Sequence, residues 1–282
     1  MGKIILSAFA DEYSANFTEQ LVGMNEYGID HVEIRGVDGK NVSILTKSEV
    51  REVKEKLDFH GVKASAIGSP IGKIQLDGDL DGHLDMAKRV LEIANELGAK
   101  YVRMFSFYAP SGEDIVAHKD KVFYELSRLA DVATSHGIVL CHENEAKIYG
   151  DIPERCREIY DCFGGKIKTV FDMGNYVLEG VKPYPAAYEL LKDSIAYFHI
   201  KDSLAAGAIV PPGCGEANIS KILAEHVKYS KDDFFISLEP HLQLFSGLNA
   251  LVGRSFENPY KYNSEKEAFT DAVNKLKELL PV

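Results

Sequence analysis

The chain has no Cys-x-x-Cys pair among its four cysteines, Cys141, Cys156, Cys162 and Cys214. Neither a structural zinc knuckle nor a thioredoxin-like redox motif is therefore indicated, and the cysteines read as reduced and mostly packed. No apolar run approaches the roughly 20 residues that span a bilayer, which excludes a helical membrane span. Positive charge is in short supply, with 32 Lys and Arg against 43 Asp and Glu and a net charge of −11. That balance argues against a nucleic-acid partner, because sequence-independent binding works through clustered Lys and Arg that displace counterions from phosphates. The start, Met-Gly-Lys-Ile-Ile-Leu-Ser, lacks the apolar region and small-residue cleavage site of a secretory signal. It reads as a first strand, and a cytoplasmic location is expected. No Gly-x-Gly-x-x-Gly follows that strand, and no Gly-rich phosphate loop with Lys occurs anywhere.

What is present is a regular alternation. With 282 residues, 45% hydrophobic and 27% charged, the chain has the composition of a globular protein large enough to bury a substantial core. Ile4 to Phe9 is an apolar run that leads into the polar Ala-Asp-Glu-Tyr-Ser, and Phe17, Leu21 and Met24 then recur at helical spacing up to Gly28. The second unit is a strand at His31 to Arg35 and a helix near Thr46 to His60, stopped by Gly61. Thr46 and Glu49 have the spacing of a capping box. Val62 to Ile67 and Tyr101 to Phe105 are the third and fourth strands, the intervening helix ending at Gly98 and the next, about Ile115 to Ser135, at His136-Gly137. Strand five is Ile138 to Glu145, after which Pro153 suits the first turn of a helix and Gly164-Gly165 turns the chain into strand six, Lys168 to Asp172. Ile195 to Ile200 and Phe234 to Glu239 are strands seven and eight, with helices at Ile219 to Val227 and Glu265 to Leu280.

Eight strand-helix units without a hairpin signal or a composition break predict one domain over 1–282, a single (β/α)8 TIM barrel of the α/β class. A doubly wound sheet is the alternative. The missing glycine fingerprint and the polar residues at many C-terminal strand ends favour the barrel.

Those strand ends hold the chemistry. Four consecutive apolar strands close on Glu143, Asp172, His199 and Glu239. In a barrel the C-terminal ends form one ring, so residues far apart in sequence converge on a single cavity. Three carboxylates and an imidazole are sound ligands for Mn²⁺, Mg²⁺, Co²⁺ or Zn²⁺, and crowding three carboxylates without a cation would be costly.

The ordered set Cys-His-Glu-Asn-Glu, Phe-Asp-Met-Gly-Asn, Phe-His-Ile-Lys-Asp and Ser-Leu-Glu-Pro-His resembles the xylose-isomerase-like TIM-barrel superfamily of sugar isomerases and epimerases, which includes the ketose 3-epimerases and the AP endonuclease family 2. The likeness extends over essentially the whole chain. It implies that Glu143, Asp172, His199 and Glu239 bind one divalent metal, most often Mn²⁺, and that Glu143 and Glu239 are also the acid/base pair. A metal chelating a ketose carbonyl and the adjacent hydroxyl acidifies the shared C–H and stabilises a cis-enediolate. Reprotonation on the opposite face gives epimerisation, and on the neighbouring carbon isomerisation. Family epimerases usually place a histidine three residues after the strand-six aspartate, where this chain has Asn175, an amide still able to hydrogen-bond substrate. Where they often have Gly-Arg-Gly after strand seven, this chain reads Gly213-Cys214-Gly215.

Around this set lie further candidates. His142 should face away from the ligands, as a packed or hydrogen-bonded histidine. Glu145 could orient a ligand or meet substrate. Lys201 and His241, two positions beyond His199 and Glu239 on the same strand sides, are candidate substrate contacts; for Lys201 the alternatives are neutralising the carboxylates or pairing with Asp202. Glu33 is a candidate substrate contact as well, although with Arg35 and Arg103 it fits a paired network near the mouth. Phe9, Phe107, Tyr108 and Phe245 could wall an apolar side. The long connection Leu242 to Ser264 suggests a lid or a subunit contact, leaving a homo-oligomer open.

The leading expectation is thus a metal-dependent isomerase or epimerase with a small carbohydrate substrate. The alternative is a lyase, a keto-inositol or keto-sugar dehydratase using the same metal site. A DNA-repair endonuclease of the superfamily would need further histidines on the early strands, and Arg35-Gly36, Ser69-Pro70 and Ser106-Phe107 supply none. A barrel that only binds a ligand is the remaining reading.

Overall fold

The computed structural model describes residues 2–242 and 259–281. Eight parallel strands, β1 (Ile4–Ala8), β2 (His31–Ile34), β3 (Lys63–Gly68), β4 (Tyr101–Met104), β5 (Val139–Glu143), β6 (Ile167–Asp172), β7 (Ile195–Ile200) and β8 (Phe234–Leu238), close into a barrel in chain order. Closure is made by β8 against β1, with Ile4 opposite Phe234 and Ala8 opposite Leu238. Around it lie α1 (Phe17–Glu26), α2 (Lys47–His60), α3 (Leu80–Leu97), α4 (Lys119–His136), α5 (Pro153–Cys162), α6 (Met173–Leu178), α7 (Tyr188–Leu191), α8 (Ile219–Tyr229) and α9 (Glu265–Leu279). The chain is a (β/α)8 TIM barrel. Among the described residues no helix is long and apolar enough to cross a membrane.

The helix boundaries follow local chemistry. Thr46 and Glu49 complete the capping box at the start of α2, each side chain accepting from the other's backbone N–H. Gly61, Gly98 and Gly137 end α2, α3 and α4 in the left-handed conformation that glycine adopts without a Cβ penalty. Pro153 occupies the first turn of α5. Strand edges differ from the sequence expectation by one or two residues: β3 runs to Gly68, β4 stops at Met104, and β5 stops at Glu143 rather than Glu145. A 3₁₀ turn, Ile115–His118, precedes α4 rather than forming part of it.

Hairpins do occur, contrary to the sequence reading, but outside the barrel. Gly36–Val37 pairs with Lys40–Asn41 after β2, and Asp202–Ser203 pairs with Ile209–Val210 after β7. Each is only two residues long, below what periodicity can signal. The second is anchored by the Asp202 carboxylate, which accepts from the backbone N–H groups of Ser203, Gly213, Gly215 and Ala217. Gly215 is needed there, since a Cβ would lie 2.2 Å from Asp202 Oδ1. Of the connection Leu242 to Ser264 suggested as a lid, residues 243–258, Phe245 among them, lie outside the described residues.

Strand alternation divides the core in two. Outward side chains such as Phe171, Phe198, Ile200 and Ile236 pack under the helices, while Ala66, Cys141, Val170 and Tyr197 fill the barrel interior. Burying a residue such as Phe171 or Phe198 contributes roughly 2–3 kcal/mol. All four cysteines are free. Lys168 stands at the inward floor of β6, and above Tyr197 the inward strand ends carry Glu143, Asp172, His199 and Glu239.

Candidate metal and sugar site

The inward positions of β5 to β8 are 139, 141 and 143, then 168, 170 and 172, then 195, 197, 199 and 201, then 235, 237 and 239. This alternation stacks Glu143, Asp172, His199 and Glu239 above Tyr197, all at most 2% exposed. One donor atom from each lies within 4.8 Å of the others. Asp172 also caps α6, its Oδ1 accepting from Asn175 N at 2.8 Å. Sequence reading missed α6, because it starts directly at the strand end with no intervening loop.

His199 is clamped between acceptors. Its Nε2 is 3.1 Å from Glu33 Oε2, and its Nδ1 is 3.0 Å from Glu143 Oε1 and 3.6 Å from Glu239 Oε2. Burial opposes charging the ring, but the Glu143 and Glu33 carboxylates more than offset it, raising its pKa to about 10. With no divalent ion the imidazole must hold both protons. A bound divalent ion would take the Nδ1 lone pair while Glu33 holds the Nε2–H, the carboxylate–histidine–metal arrangement.

The three carboxylates respond differently to crowding. Burial and its acidic neighbours push Asp172 up to about 7 despite Lys201. Burial also acts on Glu143, yet His199 and Arg103 bring it down to about 2. Glu239 is likewise held low, against burial, by Lys201, His199 and Arg35. Its Oε2 is buried without an aligned hydrogen-bond donor among the described residues, although Lys201 Nζ stands 3.0 Å away. An orphaned carboxylate oxygen beside an imidazole Nδ1, within a four-residue O/N donor set, fits a divalent cation. Bonds of about 2.0–2.2 Å need ligand atoms within roughly 4.4 Å of one another, so a few tenths of an ångström of contraction suffices.

Cations from the other half of the barrel hold these acids. Arg103 Nη1 donates to Glu143 Oε2 at 3.1 Å, and Arg35 Nη1 donates to Glu239 Oε1 at 2.9 Å. Arg35 also binds Asp11 and Glu12 from the turn after β1. Phe9 packs edge-on to His199, with the Arg35 and Arg103 guanidinium carbons 4.5 and 5.4 Å from its ring centre. Gly68 makes room for this layer: a Cβ there would lie 2.6 Å from Phe9. Glu12, Glu239 and His241 form a second cluster of ligand type. Arg35 donates to both its carboxylates, burial pushes Glu12 up to about 8, and burial keeps His241 uncharged with a pKa near 3.

A cavity of about 410 Å³ opens above, its wall including Glu143, Glu145, Lys201, Glu239, His241, Arg35, Arg103 and Lys73. Asp172 and His199 are not in that wall. Glu145 faces Lys73 at 3.3 Å. His241, at φ 47°, donates its backbone N–H to Glu12. Lys201 does not pair with Asp202; its Nζ donates to Asp172 Oδ2 at 3.0 Å and Asn175 Oδ1 at 3.1 Å. His142 points out of the barrel to Ser106 Oγ at 2.9 Å, with Gly150 closely against its ring.

Two expected substrate contacts stand elsewhere. Glu33 lies beneath His199, one oxygen on the imidazole and the other accepting from Tyr197 OH at 3.0 Å, because β2 places it a layer lower than Arg35. Asn175 is turned by α6 into the ligand set, its amide on Asn144 O, Glu143 and Lys201. Neither belongs to the cavity wall. Sequence reading passed over Asp11, Glu12 and Lys73. The acids follow β1 directly, but only closure on β8 puts them beside Glu239.

In sequence, the description Xylose isomerase-like TIM barrel matches residues 24–243. None among the curated proteins matches significantly. Several solved structures share the fold. A D-tagatose 3-epimerase-like protein is 20% identical with a TM-score of 0.72, over 98% of this chain and 96% of that one. A xylose isomerase-like TIM-barrel protein from Mycobacterium smegmatis in complex with magnesium is 18% identical with a TM-score of 0.70, over 99% and 97%. The probable 3-DHS dehydratase AsbF of petrobactin synthesis from Bacillus anthracis is 16% identical with a TM-score of 0.72, over 98% and 99%.

Proposed function

Since the chain belongs to the xylose isomerase-like TIM-barrel family, we propose that it is a divalent-metal-dependent isomerase or epimerase of a small carbohydrate, with Glu143 and Glu239 as its acid/base pair. One observation carries the reading. Of the four ligand candidates, Glu143 and Glu239 also line the cavity, so only they can both hold a cation and touch substrate.

A divalent ion held by Glu143, Asp172, His199 and Glu239, with Mn²⁺ the first choice and Mg²⁺, Co²⁺ or Zn²⁺ alternatives, would polarise the sugar carbonyl and balance the charge that develops beside it. The protein's own groups do the rest. Glu143 is kept ionised by His199 and Arg103, and Glu239 by Lys201, His199 and Arg35, so each enters the reaction as a carboxylate. One carboxylate takes the C–H proton while its electron pair moves onto the carbon–oxygen framework. For isomerisation the same group returns that proton at the neighbouring carbon; for epimerisation the other glutamate, first protonated from solvent, delivers its proton on the opposite face and the first releases the one it took. Lys201, Glu145 and His241 present donors and acceptors to sugar hydroxyls.

Loss of water from a keto-sugar or keto-inositol is the second reading, and the inward turn of Asn175 favours it: this amide is occupied where a substrate contact would serve an epimerase. The decisive experiment is a ketose, aldose and inositol panel in D₂O with Mn²⁺, Mg²⁺, Co²⁺ or Zn²⁺. Deuterium beside the carbonyl at unchanged product mass apart from the label supports isomerisation or epimerisation, and loss of water supports the lyase. Absence of both deuterium incorporation and loss of water, in every substrate with every metal, overturns both.

A further inference from the structure

The geometry points to Lys201 as a resident counter-cation that a divalent ion must dislodge, releasing the ammonium into the cavity as a substrate contact; this rests on the metal reading above. Lys201 Nζ stands 3.0 Å from Asp172 Oδ2 and 3.0 Å from Glu239 Oε2, so one oxygen of each of two ligand candidates faces an ammonium. The second oxygen of each is already engaged, Asp172 Oδ1 by Asn175 N–H and Glu239 Oε1 by Arg35. A divalent ion cannot take the remaining two oxygens while the ammonium lies on them, because two cations would then share the same lone pairs at contact distance.

The seat is built for this side chain. Lys201 follows His199 on the inward side of β7 and lies against the first turn of α6, where a Cβ on Gly174 would come within 2.7 Å of its Cγ. Gly174 therefore gives the lysine stem its channel. The layer below is closed by His199 and Tyr197, both fully buried. The side chain is 4% exposed, and its open direction is the cavity, whose wall it joins. Displaced from Asp172 and Glu239, Nζ moves up to where a sugar oxygen would sit. Cation and substrate are then linked through one residue: the ammonium becomes a free donor only when the ion is in place, so the ion binds first and substrate second.

The test is titration of the EDTA-stripped full-length chain with Mn²⁺ by calorimetry, wild type beside Lys201→Met and Lys201→Arg. Removing the competitor should tighten Mn²⁺ binding at least tenfold in Lys201→Met and enlarge the Mn²⁺-induced rise in Tm, while Lys201→Arg should bind as weakly as wild type. Equal or weaker Mn²⁺ binding by folded Lys201→Met overturns the inference and leaves the metal site standing. No Mn²⁺ binding by any of the three overturns the metal reading itself. Should Lys201→Met not fold, reductive methylation of the wild type followed by peptide mass spectrometry answers the question. Lys201 should label several-fold faster with Mn²⁺ than without it, and equal labelling overturns the proposal.

Discussion

The two halves of the barrel mouth are unlike in what they supply. Strands β5 to β8 bring three carboxylates and an imidazole within 4.8 Å of one another. Strands β2 to β4 and the loop after β3 bring Arg35, Arg103 and Lys73, with Glu33 as the sole acid on an inward strand position of that half. Within the acidic half Lys201 stands 3.0 Å from Asp172 and from Glu239. Each of its two cavity-facing glutamates meets a guanidinium reaching across the barrel, Arg103 to Glu143 and Arg35 to Glu239. The early half thus orients the groups that the late half contributes to chemistry.

If that division is right, the largest effect comes from the acidic half. Glu143→Gln and Glu239→Gln should each lower kcat by about 10²–10⁴-fold, as loss of a positioned acid/base does, measured on the substrate that incorporates deuterium. Turnover left intact in both would remove them from the chemistry. Next comes the basic half. Arg103→Met leaves Glu143 buried beside Glu239 without its guanidinium and should cost about 3–5 kcal/mol in urea unfolding of the metal-free protein. A cost below about 1 kcal/mol would mean that the acids do not depend on the opposite strands.

A control away from the mouth should respond to pH alone. Burial pushes His226, packed on Phe198 and Phe234, down to about 4 from an ordinary 6.5. Between those values the unfolded chain binds a proton that the folded chain refuses. Stability is therefore complete above about pH 6.5 and falls as the pH drops toward 4, by about 2–3 kcal/mol for this residue. His226→Leu should flatten that slope in urea melts, and an unchanged slope would assign it to other histidines. Glu33→Gln should weaken Mn²⁺ binding by roughly 10–100-fold, because the carboxylate that fixes the His199 tautomer is lost. Smallest is Lys73→Ala. Its rim pair with Glu145 is part-exposed, and unfolding should change by less than about 1 kcal/mol. A larger loss would extend the supporting network to the cavity rim.

Much of this was legible residue by residue. The four ligand candidates stood out because an apolar strand that ends in an acid or imidazole is a local pattern, and strand alternation alone turned His142 outward to Ser106 and left Glu143 facing in. The same alternation put Lys201 above His199, but not onto Asp172. That contact depends on α6 starting at the strand end and on Gly174 leaving space for the lysine stem. Asn175 was placed three residues after Asp172, yet its direction came from the cap that Asp172 makes with its backbone. Glu33 looked like a mouth residue until the strand stagger set it one layer lower, under His199.

By itself the sequence determined the succession of strands and helices, the caps that end them, and which side chains occupy inward strand-end positions, because dihedral preference and two-residue periodicity act over a few neighbouring residues. The tertiary structure alone decided which of those positions touch. Closing β8 on β1 carried Glu12 to the backbone N–H of His241, more than 220 residues along the chain. Sheet closure and stagger are set by the packing of all eight units together, and no local pattern encodes a distance across the barrel.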